Sequence, residues 1–205
     1  MSDKNKIEFY IFRHGETDWN RDLIFQGHTD IPLNNTGKAQ AAKLADQLLA
    51  LCPEIILSSD LSRAQETARI ANAKISVPIL VSDQLRECNL GNAEGMHHDK
   101  VNETYGAEGR KRWDSVKPED LSYGFPNGET KAENVRRLVA YLESFCRLQP
   151  HFKKIAVSTH GGCVRRLVHI CKGAPEEPVP MPNCVLYKIT YDAGTGVWAF
   201  GGMNT

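Results

Sequence analysis

Apolar residues along the chain fall into two rhythms. Ala41, Leu44, Ala45 and Leu48 repeat as i, i+3, i+4, i+7, which predicts a helix over Thr36 to Leu51 with Thr36 as its cap. Val135, Leu138, Val139, Leu142, Phe145 and Cys146 keep that period between the polar P-N-G-E-T segment and Pro150. Val164, Leu167, Val168 and Cys171 do so ahead of Gly173 and Pro175. Asp60 is placed to cap a further helix from Leu61 to about Lys74, with Arg63 in its first turn. Against these stand short continuous apolar runs of strand composition: Ile7 to Phe12, Glu54 to Ser59 and Lys154 to Thr159. Two more, Cys184 to Tyr191 and Val197 to Phe200, are joined by a D-A-G-T-G turn.

Strands that alternate with helices predict an α/β fold, a three-layer αβα sandwich around a mostly parallel sheet. Glycines, paired histidines and the run Arg110 to Arg112 interrupt this rhythm from about residue 87 to 128. That stretch is expected to be a cap or lid inserted in a single domain spanning residues 1–205. With 41% apolar residues, a chain of 205 can bury one good core. No internal repeat or low-complexity tract is present.

Lys plus Arg balance Asp plus Glu at 25 each, so no overall field draws the protein to nucleic acid or anionic lipid. No apolar run approaches the roughly 20 residues of a membrane span, and M-S-D-K-N-K carries no signal core. A soluble, cytoplasmic protein is expected, without nucleic acid or membrane partners. The six scattered cysteines lack a C-x-x-C pair and read as reduced, packed thiols. The N-x-T sequons at Asn34 and Asn102 read as chance.

Candidate chemistry gathers at strand ends. I-F-R-H-G closes the first strand, and V-S-T-H-G-G closes the strand through Val157 and opens a helix. Each delivers a histidine followed by glycine to one edge of the sheet, where backbone can approach a ligand closely. With Arg63, these ends would form a pocket for a doubly charged anion, its guanidinium forks matched to phosphate oxygens. Taken singly, Arg13 with His14 reads as a strand-end ion pair, Arg63 as an exposed helix residue and Glu87 as a loop carboxylate. Rival chemistries fail on spacing. None of the cysteines has arginine six positions on, no D-x-D-x-T or Walker motif occurs, and G-T-G-V-W-A from Gly194 lies in a hairpin that cannot open a dinucleotide-binding helix.

Five ordered motifs resemble the histidine phosphatase superfamily, also called the phosphoglycerate mutase-like family. They are R-H-G-E-T at Arg13, Q-G-H-T-D-I-P-L at Gln26, S-S-D-L-S-R-A-Q-E-T-A around Arg63, E-x-x-x-G-x-x-E-G from Glu87 to Gly95, and H-G-G at His160. The resemblance covers nearly the whole chain. It implies a phosphatase that forms phosphohistidine on His14, with Arg13, Arg63 and His160 holding phosphoryl oxygens and Glu87 as acid and base. Asn20, Gln26, Gly27 and the Gly161 N–H would line the phosphate and substrate side. His14 then needs a free lone pair while Glu87 must hold a proton, so Glu87 is expected to be partly desolvated under the inserted segment.

The resemblance further implies a small-molecule phosphomonoester as substrate and no metal or cofactor, since the arginines supply the positive charge. The compact span after Glu87, and Q-G at Gln26, resemble the phosphatase branch more than the mutase branch. Mutase-type phosphoryl transfer is the alternative, and a non-catalytic phospho-ligand module a third. Two positions depart from the pattern: Ile24, where a basic residue often precedes Q-G, and Ala93, where tryptophan is common before E-G. His97, His98 and Asp99 read as surface or substrate contacts rather than a metal site, and Arg110 to Arg112 as a solvated helix face or, second, as part of the substrate entrance. Trp19 and Trp113 read as packing or pocket-wall residues, and Trp198 as core.

Overall fold

The computed structural model describes residues 5–173 and 179–204. Six strands form one sheet: β1 (Lys6–Arg13), β2 (Ile55–Ser59), β3 (Ile79–Ser82), β4 (Lys154–Thr159), β5 (Leu186–Asp192) and β6 (Val197–Asn204), in the order β3-β2-β4-β1-β5-β6. β1, β2, β3 and β4 run parallel, while β5 lies antiparallel to β1 and pairs with β6 as a hairpin. The α/β architecture expected from the sequence is therefore present, with a mixed sheet whose antiparallel part is the tail.

Side-chain parity divides the core into two layers. Ile7, Phe9 and Ile11 of β1, Ile55 and Leu57 of β2, and Ile155 and Val157 of β4 face helices α5 (Lys131–Leu148) and α6 (Gly161–Lys172). Tyr10, Phe12, Ile56 and Ala156 face the other way, toward α2 (Asn35–Leu51) and α3 (Ser62–Ala71). Both faces of the central strands are thus covered, which is why those strands read as unbroken apolar runs. Each buried Leu or Ile contributes roughly 1.5–3 kcal/mol. Because the helix after β4 packs on one face and those after β1 and β2 on the other, a crevice opens at the carboxyl ends of these strands.

Several boundaries differ from expectation for local reasons. The α2 cap is Asn34, not Thr36, because its side chain accepts from Gly37 N–H at 2.9 Å. Asp60 does not cap α3. Its carboxylate is taken by the Arg86 fork at 2.7 and 2.6 Å, and the N-cap Leu61 has no side-chain bond. The last strand pair starts at Leu186, since Cys184 turns with φ 57°, and β6 continues to Asn204. Pro175 lies outside the described residues. Trp198 is half-buried rather than core, stacked on Phe9 at 5.3 Å.

The stretch expected to be inserted holds a short one-turn helix at Pro118–Ser122 and the longer α4 (His98–Asp114), which breaks at Gly106, where φ is 73°. A separate small cluster of Phe25, Cys88, Leu90, Ala93, Val101 and Phe125 anchors it, with Tyr105, Trp113 and Tyr123 packed around. Ala93, one of the two departures, is fully buried there.

Candidate active site

Strand register builds the site. Arg13 pairs across from Thr159, and His14 N–H donates to the Thr159 carbonyl at 2.9 Å, so His14 and His160 leave adjacent parallel strands side by side. Their rings meet edge to face with centroids 5.2 Å apart. Gly15 permits the turn that follows: a Cβ there would lie 2.4 Å from the Gly37 carbonyl oxygen. Its N–H is held by Thr67 Oγ1 at 2.9 Å, and Asn183 Nδ2 donates to the His14 carbonyl at 2.8 Å.

The His14 tautomer follows from its partner. Nδ1 lies 2.7 Å from the Gly15 carbonyl, which can only accept, so Nδ1 carries the proton and Nε2 keeps its lone pair. Burial, then the guanidiniums of Arg63 and Arg13, hold the His14 pKa well below the usual 6.5. His160 is held low likewise, by burial and then Arg63. Its Nε2 sits 2.9 Å from Ser59 Oγ, which also accepts Leu61 N–H. The His160 Nδ1 is buried without a partner.

Two arginines complete this end. Arg63, 0% exposed, donates to the carbonyls of Thr29 and Gly27 at 2.8 and 2.7 Å, and burial lowers its pKa to about 10, so it stays charged at neutral pH. Arg13 donates to the Met181 carbonyl at 3.0 Å and rests against Gly161. The Nε atoms of both arginines are buried without a partner. A buried charge held with open donors is an arrangement that an anion completes.

The Glu87 side chain is 16% exposed. Its carboxylate accepts from Gly162 N–H at 2.8 Å, at the start of α6, and from Cys88 N–H at 2.9 Å, with Arg166 Nη1 at 3.6 Å. Its backbone carbonyl is fixed by His28 Nε2 at 2.8 Å and Arg137 at 2.7 Å. Glu94 ties this loop to the Q-G-H-T turn, accepting from His28 N–H, Thr29 N–H and Thr29 Oγ1 at 2.7–2.9 Å. Gly27 belongs to that turn with φ 55°, and a Cβ there would strike Glu94.

All nine residues singled out from the sequence, Arg13, His14, Asn20, Gln26, Gly27, Arg63, Glu87, His160 and Gly161, line one cavity of about 410 Å³. Asn20 closes a capping box with Thr17 on the short helix α1 (Asp18–Arg21), and Gln26 Oε1 accepts from Thr17 Oγ1 at 3.1 Å. Ile24, the other departure, also lines the wall. His97 caps α4 through Asp99 N–H, while His98 packs on Phe25 and faces the cavity. Among the described residues no cluster of three or more His, Cys, Asp or Glu could hold a metal.

The Arg110 to Arg112 run is not a solvated face. Arg110 lines the cavity and pairs with Asp114 at 2.6 Å, Arg112 lies over Tyr123 and pairs with Asp120, and only Lys111 is exposed. Trp113 is cavity wall, with Arg166 over its ring at 5.1 Å, whereas Trp19 packs beside Gly95. Sequence reasoning missed Arg165, Arg166, Lys131 and Asn183. The α6 arginines had a signal, one turn beyond H-G-G on the same helix. Asn183 had none.

A histidine with an open lone pair beside paired cationic forks, at the carboxyl edge of an α/β sheet, defines a phosphate-handling site. The family model for the histidine phosphatase superfamily (branch 1) matches residues 9–203, and the chain belongs to that superfamily. The uncharacterized phosphatase PhoE of Bacillus subtilis is 35% identical over 183 residues, 88% of this chain and 86% of that one. The probable phosphoglycerate mutase GpmB of Escherichia coli is 32% identical over 200 residues, 96% and 89% of the two chains. A mycobacterial glucosyl-3-phosphoglycerate phosphatase superposes with a TM-score of 0.83 at 23% identity, covering 98% of this chain and 99% of the other, a likeness of fold. The protein is an enzyme of the phosphatase class. No described helix is long and apolar enough to cross a membrane.

Proposed function

We propose that the protein hydrolyses a small phosphomonoester without a metal, through a phosphohistidine on His14. The observation that carries this reading is the Gly15 carbonyl at His14 Nδ1, which leaves Nε2 unprotonated as the attacking atom. Nε2 forms a bond to phosphorus as the ester P–O bond breaks, and Glu87 gives its proton to the departing alkoxide. Arg13, Arg63 and His160 stabilise the negative charge spread over the phosphoryl oxygens. Water then loses a proton to Glu87 and attacks phosphorus, and the P–N bond breaks to release inorganic phosphate. The charge a metal would otherwise bring comes from the two guanidiniums, so thorough chelation should leave turnover unchanged.

The test is a screen of metabolite phosphomonoesters by phosphate release, with phosphoglycerate mutase assays in parallel. Steady release from one compound class, with acid-labile phosphate trapped on the enzyme after rapid quenching, is the expected result. Transfer between hydroxyls without phosphate release would assign the chain to mutase chemistry instead.

A further inference from the structure

The polar groups lining the cavity divide into those the protein already uses and those it leaves open. Lys131 gives its ammonium to the carbonyls of Arg112 and Ser115 at 2.5 and 2.8 Å. Arg166 donates to Asn134 Oδ1 at 2.8 Å, Arg110 holds Asp114, and Glu87 is taken by the α6 N-terminus. Seven buried side-chain polar atoms have no partner among the described residues, and five belong to residues of this one cavity: Arg13, Arg63, His160, Arg165 and His169. Three of those residues belong to the reacting end. The proposed chemistry leaves Arg165 and His169 without a task.

Both are donors. Arg165 makes no ion pair or hydrogen bond among the described residues, and its Nε is buried. Burial disfavours its charge, and neighbouring Arg166 and Arg110 add to that while Asp114 and Glu87 oppose it. His169 is 5% exposed and accepts Val179 N–H on Nε2 at 3.2 Å, so its proton sits on Nδ1, which has no partner. Burial and then Arg165 lower its pKa, which keeps that neutral tautomer.

Gly161, Arg165 and His169 stand at i, i+4 and i+8 on α6, one face of the helix, each step rising about 6 Å. The stripe starts at Gly161 against Arg13 and runs away from His14 along the cavity. We propose that Arg165 and His169 form a second anion subsite, so that the substrate is a phosphomonoester carrying another anionic group, a carboxylate or second phosphate, roughly 6–12 Å from the reacting phosphorus. This rests on the hydrolase reading above for which end holds the phosphoryl group. A guanidinium and an imidazole N–H offer only hydrogens, and an anion accepts both without leaving a donor of its own buried.

The test reads affinity, so it does not depend on turnover. Calorimetry would compare 6-phosphonohexanoate with hexylphosphonate, neither of which can be hydrolysed, and hexane-1,6-bisphosphonate would separate a carboxylate site from a phosphate site. The doubly anionic ligands should bind roughly 10- to 100-fold tighter than hexylphosphonate. That advantage should fall toward unity in Arg165→Met, partly return in Arg165→Lys, and shrink in His169→Leu. Equal affinities in the native protein, or an advantage undiminished in Arg165→Met, would overturn the subsite. Selective binding without hydrolysis of any phosphomonoester would refute the hydrolase reading and leave the subsite standing.

Discussion

The strand-end side of the cavity and the side formed by residues 87–128 are built by different means. At the strand ends His14 and His160 are placed by sheet register and by backbone bonds such as His14 N–H to Thr159, within a core whose central residues are almost wholly buried. The 87–128 side hangs on a handful of rings around Phe125, with Tyr105, Trp113 and Tyr123 centred 5.0–5.6 Å from it and α4 broken at Gly106. Backbone fixes the first region, and side-chain packing the second. The chemistry is therefore expected to tolerate changes in residues 87–128 far better than substrate choice does.

The largest effect should come from the strand end. His14→Ala should cost activity on the order of 10⁶-fold, as removal of a nucleophile does, while circular dichroism and thermal unfolding stay close to native. Activity near the native level would end the phosphohistidine assignment. Glu87 sits at the seam between the regions, and Glu87→Gln should slow alkyl phosphate cleavage roughly 10²- to 10⁴-fold, with p-nitrophenyl phosphate affected far less. Single-turnover phosphohistidine formation is the step to measure, because the proposed mechanism uses Glu87 in dephosphorylation as well. Equal losses for the two leaving groups would make Glu87 a positioning residue.

On the 87–128 side, Phe125→Ala should lower the opening free energy of α4 amides by roughly 3–5 kcal/mol, while β1 and β4 amides keep their protection in hydrogen exchange. Loss of protection in both regions together would show that they are one cooperative unit. The smallest effect concerns pH. His14 and His160 have folded pKa values below the ordinary 6.5, so as pH falls the unfolded chain takes up protons first. Their contribution to stability is complete above about pH 6.5 and is lost progressively below it, toward the depressed folded values. Urea unfolding at about pH 7.5 and 5 should show this loss, and His14→Ala should shrink it.

Legibility in the sequence followed the same division. R-H-G and H-G-G could be read because each is local, a strand and its end in consecutive residues, and parallel strands bring such ends to one edge. The caps were misjudged where two short polar residues compete within one turn, as Asn34 and Thr36 do, and the Gly37 N–H decides between them. Asp60 looked like a cap because its distant partner Arg86 leaves no mark beside it. β3 escaped notice as a four-residue, half-exposed edge strand without a clean alternation. Arg110 was read first as solvated and Arg165 was missed because helical periodicity was read from apolar residues, and a cavity wall reverses that rule by turning charged side chains inward.

The position of β1 has a consequence for the making of the protein. The strand that leads into His14 is made before the other five, yet its neighbours in the sheet are β4 and β5. Cys184 N–H closes on the Arg13 carbonyl, and Asn183 on that of His14, so the segment before β5 secures the strand end that carries His14. A nascent chain therefore carries an exposed, strongly apolar strand until β4 and β5 have been made, since only they supply its pairings. Folding of this site waits for those strands, and chaperone dependence should be greatest for chains stalled before β4.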